Sequence, residues 1–236
     1  MKSILDICQE VADLAAVKRP ESLFSANSMS DIIFLSVAKS TLDSLLRYGD
    51  WPELTKEAIL QTNSSQQNYW LEDICPDFYS LLPNTIYIKD MSEKVIGAIN
   101  PEKWMKSKYL SDDAGVVKFK LQNNCLKFLN LPAEPVKIVF QYRSNIICMS
   151  SKTFQEKSEL TSDTDIPVFD YYLVKLGILW RWLKRSGMDY AEEYAEYESE
   201  VKKKFSASVV SEDIPLSEYC IDNLNGGVKI NVKVIH

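Results

Sequence analysis

Residues 166–205 read IPVFDYYLVKLGILWRWLKRSGMDYAEEYAEYESEVKKKF, and the fold turns on this stretch. Apolar residues fill positions 168, 169, 171–174, 176, 178–180, 182 and 183, far more than the single stripe of a surface helix. The pattern predicts a helix over Val168–Ser186 that is buried on several sides. Gly187 is placed as the residue just past its end, and Lys184 and Arg185 complement the negative end of its dipole. Asp189 can open a second helix. There Tyr190, Tyr194, Tyr197, Val201 and Phe205 recur at spacings of four, three, four and four, a narrow apolar seam. Glu192, Glu193, Glu196, Glu198 and Glu200 face elsewhere. These residues predict a long C-terminal helical hairpin.

The N-terminal residues supply a matching pair of helices. Ser3 with Asp6 has the form of a capping box, and Ile4, Ile7, Cys8, Val11, Leu14 and Ala15 share one helical face. Pro20 interrupts, and a second face runs through Ile33, Phe34, Val37, Ala38, Leu42, Leu45 and Leu46 up to Gly49. From 54 to 150 the period changes. TKEAILQT, QNYWLE, TIYIKD, VIGAI, VVKFKLQ, CLKFLN and VKIVFQYRS are short runs rich in Val, Ile, Phe and Tyr between turn residues. VVKFKLQ and CLKFLN flank Asn123-Asn124, which tolerates the positive φ of a tight hairpin. PEKWMKSKY at 101–109 is a short helix with proline at its start.

The expected fold class is therefore α+β: an N-terminal helix pair and a long C-terminal helical hairpin packed together, an inserted small antiparallel β region, and an extended C-terminal arm. The helical domain takes residues 1–53 and 160–205, the β-rich insert 54–159, and the arm 206–236. Pro215 and Gly226-Gly227 interrupt the arm. Its end alternates Val228, Ile230, Val232 and Val234, followed by Ile235, against Lys229, Asn231 and Lys233. Such alternation suits a strand added to another chain's sheet edge or one closing this chain's own sheet.

Composition excludes much chemistry. The one histidine is His236, which leaves no Ser-His-Asp or Cys-His system and no histidine metal site. The seven glycines form no GxGxxG, GxxxxGK[ST] or GxSxG motif. Five cysteines, Cys8, Cys75, Cys125, Cys148 and Cys220, are unpaired in spacing and read as reduced core thiols, with no zinc site. No metal or cofactor is expected. Asp163 and Asp165, before Pro167, read as helix caps rather than metal ligands, and Asp112-Asp113 as turn residues. Lys175, Arg181, Lys184 and Arg185 form a basic cluster beside Trp180 and Trp182, but adjacent helical positions diverge by about 100°, so the tryptophans make no single stacking platform. The net charge of −6, from 33 acidic and 27 basic residues, argues against a general nucleic-acid binder. The N-terminal run is broken by acidic residues, unlike a signal peptide, and no segment is long and apolar enough to span a membrane.

LGILWRWLKRSGMDYAEEYAEYE at 176–198, with DICQEVADLAAVKRPESL at 6–23 and LLRYGDWPELTKEA at 45–58, resembles the head-to-tail adaptor, or connector, proteins of short-tailed bacteriophages. The resemblance covers most of residues 1–205 by order of features. It implies a structural virion protein rather than an enzyme, made in the host cytoplasm and located at the head-tail junction. The implied assembly is a homo-oligomeric ring of twelve copies beneath a portal protein, holding a tail or nozzle protein. DNA would pass through its channel without sequence-specific binding. The net charge, apart from the resemblance, is in keeping with a ring lining acidic or neutral enough to repel phosphate. On this reading Tyr171, Leu179, Trp180 and Trp182 pack subunits together, and Val228, Ile230, Val232, Val234 and Ile235 dock on the portal. The alternatives are another tail component, a stopper or tube subunit, and an enzyme with carboxylates in the β region.

Overall fold

The computed structural model describes residues 2–25, 28–63, 66–89, 93–110 and 115–209. Helix α1, Ile4–Leu14, begins in a complete capping box: the Asp6 N–H donates to the Ser3 hydroxyl at 3.2 Å, and the Ser3 N–H donates to the Asp6 carboxylate at 2.9 Å. Helix α2, Met29–Tyr48, is capped by Ser28 and buries Phe34, Val37, Ala38, Leu42, Leu45 and Leu46 before stopping at Gly49. A single 3-10 turn, Pro52–Leu54, leads into the β part.

That part holds β1 (Thr55–Gln61), β2 (Asn68–Trp70), the short helix α3 (Leu71–Ile74), β3 (Phe78–Leu81), β4 (Tyr87–Ile88), β5 (Glu93–Lys94), helix α4 (Pro101–Tyr109), β6 (Lys118–Gln122), β7 (Cys125–Leu129) and β8 (Lys137–Ser144). Strand β8 is the spine of a five-stranded antiparallel sheet, with β1 on one side, β3 and β4 on the other, and β5 beyond β4. In the β1–β8 register Thr55 faces Arg143 and Gln61 faces Lys137. Ala58, Leu60, Ile138, Phe140 and Tyr142 alternate inward. A second sheet, β2-β7-β6, is closed by a two-residue turn in which Asn123 and Asn124 both have positive φ, 52° and 55°.

The chain then returns through β9 (Cys148–Met149), β10 (Glu156–Lys157) and β11 (Ile166–Pro167), a third small sheet, to helices α5 (Tyr171–Arg185) and α6 (Ala191–Val209). Buried apolar residues fall into two clusters. One draws on residues 4–54 and 147–201, and the other on 58–142.

The α+β mixture is present, but the expected long C-terminal hairpin is not. Ile166 and Pro167 are strand residues facing Met149 and Cys148, and the Val168 N–H donates to the Ile147 carbonyl at 3.1 Å. The helix cannot start until Asp170, whose carboxylate accepts from the N–H groups of Tyr172 at 2.9 Å and Leu173 at 3.3 Å. The chain instead forms a 15-residue helix and a separate 19-residue helix. Helix α5 is the central member of a four-helix cluster, packed against α1, α2 and α6. The single small β region is likewise replaced by three sheets, and the arm 206–236 lies outside the described residues beyond Val209.

Candidate functional site

Helix α5 owes its central position to a residue that sequence reasoning passed over. At Gly177 a Cβ would collide with the Thr41 methyl of α2 and come within 3.0 Å of the Tyr197 ring of α6, so glycine allows both neighbours to close on the same turn. The far end of α5 closes with a Schellman motif: the Met188 N–H donates to the Leu183 carbonyl at 3.0 Å and the Gly187 N–H to the Lys184 carbonyl at 3.3 Å, with Gly187 at φ 73°.

The four residues expected to pack subunits have different surroundings. Leu179 and Trp182 are 9% and 6% exposed within one chain, and Trp182 stacks on Phe34 with centroids 5.6 Å apart. Tyr171 turns toward α1, where its phenol donates to the Glu10 carboxylate and Lys2 lies 4.4 Å above its ring. Hydrogen bonds from Lys2 and Tyr171 hold the Glu10 carboxyl below its ordinary range. Trp180 faces α6, with its ring 4.9 Å from Tyr194 and 6.1 Å from Tyr197. Its indole N–H is buried without a hydrogen-bond partner among the described residues. The expected docking residues, Val228, Ile230, Val232, Val234 and Ile235, lie outside the described residues, as do Cys220 and Asp112-Asp113.

The basic cluster is dispersed. Arg181 lies 4.3 Å over Trp180 and donates to the Gly177 carbonyl at 3.0 Å. Burial pulls its pKa down, against the opposing influence of Tyr197. Lys184 reaches the rings of Trp180 and Tyr190, Lys175 those of Tyr171 and Tyr172, and Arg185 the Ser36 hydroxyl. The arrangement is an aromatic and cationic seam between two helices rather than a phosphate cradle.

The carboxylates serve as braces. Asp163 accepts from the Leu23 N–H at 2.7 Å and the Ser22 hydroxyl at 2.5 Å, tying down the segment before α2 instead of capping α5. Asp165, 1% exposed, accepts from Lys157 at 2.7 Å and from the N–H groups of Thr161 at 2.8 Å and Ser162 at 2.9 Å. Burial alone would raise its pKa, but these donors outweigh burial and hold it low. The same contest is won by Lys56 and Tyr142 at Asp77. Asp77 lines an open depression of about 410 Å³ with Asn145, Glu156, Lys157 and Thr161. Among the described residues, every carboxyl with a shifted pKa is shifted down. None is therefore set up as a proton donor near neutrality. No metal-binding cluster of His, Cys, Asp or Glu occurs among the described residues, and no described helix is long and apolar enough to cross a membrane.

No protein-family model matches the sequence, and no curated protein matches it.

Helix α4 was legible as a helix but not as a surface. Asn100 caps it, accepting from the Lys103 N–H at 2.8 Å, and Glu102 pairs with Lys106 at 2.8 Å. Yet it buries no residue: Met105, Tyr109 and Leu110 are 53%, 65% and 61% exposed. The one trace of it in the sequence is the apolar spacing 105, 109, 110 among lysines, whose exposure only the structure shows.

Proposed function

We propose that this chain is a structural assembly subunit, an adaptor at a phage head-to-tail junction that forms a ring beneath a portal, leaves a channel for DNA and carries the next tail component. The observation that carries the reading is α4, a capped helix with none of its residues in either core. Among the described residues nothing covers the large apolar side chains of this ordered helix, and burial against another molecule would stabilise them. The resemblance of residues 1–205 to short-tailed phage adaptors supplies the ring, its twelve copies and the portal as partner. The carboxylates add support, since the shifted ones are ionised and bound to loops and cations, which suits a scaffold better than acid-base chemistry.

The test is the mass of the purified chain, alone and mixed with the portal protein, by light scattering with negative-stain imaging. Rings, alone or on the portal, are expected. A monomer indifferent to the portal overturns the reading. Removing residues 210–236 is expected to weaken portal binding, and unchanged binding would remove the arm from the contact.

A further inference from the structure

Strand β1 ends its sheet, and among the described residues no strand pairs with its outer side. It is seven residues long and matches β8 at every position without a bulge. The Thr62 N–H donates to the Val136 carbonyl at 2.9 Å, one step beyond the Gln61–Lys137 pair, and on the far side of β8 the Leu82 N–H donates to the Gln141 carbonyl at 3.1 Å. Backbone groups alternate in direction along a strand. Lys56, Ala58 and Leu60 therefore turn theirs to β8, while Glu57, Ile59 and Gln61 turn theirs outward. A long, regular edge of this kind is a template for a further strand unless charge, proline or a bulge guards it. Strand β1 has neither proline nor bulge, and its one lysine, Lys56, is drawn to Asp77 at 2.8 Å and to Glu156. Ile59 is left 51% exposed.

The described chain ends close to this edge. The Phe205 ring of α6 lies edge-on to Trp51 and Tyr48, with centroids 5.6 and 5.4 Å away, and only the turn Pro52–Leu54 separates Trp51 from β1. From Val209, residues 210–227 can span up to about 60 Å, whereas β1 is about 23 Å long. Residues 228–235 can thus reach any point of the edge. They read VKINVKVI, with Val228, Ile230, Val232 and Val234 alternating with Lys229, Asn231 and Lys233. Strand β1 alternates in the same way, with Ala58 and Leu60 buried on one side and Glu57 and Gln61 exposed on the other.

We infer that residues 228–235 of the same chain add to the open edge of β1 as a further strand. Their β-branched side chains take the side on which Ala58 and Leu60 are buried, and their lysines take the side of Glu57, whose exposed carboxylate favours them. The occupant is the chain's own tail because a strand tethered beside the edge meets it at an effective concentration that separate copies at micromolar protein do not reach. The inference stands apart from the assembly proposed above.

Amide hydrogen exchange, followed by NMR on the isotope-labelled full-length chain, tests it against a full-length Asn231→Pro, Val232→Pro variant. Proline has no N–H, and successive residues point to opposite sides of a strand, so the two changes together remove a donor facing β1 in either register. In the wild type the amides of Glu57, Ile59 and Gln61 should exchange at least about tenfold more slowly than in the variant. Those of Ala58, Leu60 and Thr62, held by β8 and its approach, should exchange alike in both, an alternation that misfolding would not produce.

Free exchange at Glu57, Ile59 and Gln61 in the wild type would overturn the inference. Equal protection in the variant would also overturn it, by assigning the cover to another segment. Loss at all six positions would mean that the ladder itself opens, which is equally contrary. A labelled variant that regains protection when unlabelled wild type is added would show the strand arriving from a second copy, against the same-chain assignment. The formation or absence of rings alters none of these readings, so failure of the assembly reading is seen separately.

Discussion

Gly177→Ala tests the packing that places α5 at the centre of the helical cluster. In an exposed helix this change would stabilise the chain, since alanine is favoured over glycine by about 1 kcal/mol. Here the added methyl meets the Thr41 side chain on one side and the Tyr197 ring on the other. Thr41 is fully buried and its hydroxyl donates to the Val37 carbonyl at 2.8 Å, so its methyl cannot swing away without breaking that bond. Overpacking at such a site costs about 1–3 kcal/mol. With both neighbours affected the upper part of that range applies, and subtracting the propensity gain leaves a net loss of about 1–2 kcal/mol. In a domain of this size that lowers the thermal midpoint by about 2–8 °C. Urea unfolding followed by circular dichroism reads the loss as a lower midpoint at unchanged slope. Thr41→Ser removes the obstructing methyl and keeps the hydroxyl, so the double variant should recover part of the loss. A Gly177→Ala protein more stable than wild type, or a loss that Thr41→Ser leaves untouched, would refute the reasoning.

Asp165→Asn should cost about 2–4 kcal/mol at pH 7, because it leaves Lys157 without its buried partner and weakens the acceptor for two N–H groups. The Asp165 pKa is held below the unfolded value of about 4, so its contribution is complete above that pH and fades as pH falls through the lower folded value. The gap between wild type and variant in urea titrations should accordingly be wide at pH 6 and narrow in strong acid. Trp182→Ala empties a site stacked on Phe34 and should cost about 3–5 kcal/mol, seen in the same titration. In a Cys220→Ser background the thiols of Cys8, Cys75 and Cys148 should resist iodoacetamide at pH 8 until urea is added. Burial raises all three pKa values, that of Cys75 to about 11 and that of Cys148 to about 12. Alkylation of Cys8, Cys75 or Cys148 in the folded protein, read by peptide mass spectrometry, would contradict that burial.

Features governed by neighbouring residues were readable in the sequence. Ser3 and Asp6, Asn123-Asn124, and Gly187 each form the local structure their types dictate, because cap and turn chemistry is settled within a few residues. The α2 face was readable for the same reason, through its period. Features set by distant partners were not. Asp163 and Asp165 look like caps for the next helix, but that role belongs to Asp170, because Ile166 and Pro167 are drawn into a strand with β9. Two-residue strands carry no periodicity, so the third sheet left no trace. Trp180 and Trp182 were separable by helical angle alone, but that one meets α6 and the other Phe34 depends on how the helices cross. The hairpin lysines of β6 and β7 were visible, although nothing local indicated that α4 would lie beside them.

The two bodies of the chain are linked where the chain crosses between them. The chain enters the β part at Thr55 and leaves it near Arg143, and these residues are direct partners in the β1–β8 ladder. Arg143 also donates to the Gly49 carbonyl at 2.5 Å and pairs with Asp50 at 3.2 Å, while Lys56 links Asp77 of the β part to Glu156. A pull on one body therefore reaches the other partly through a short lever at a buried arginine.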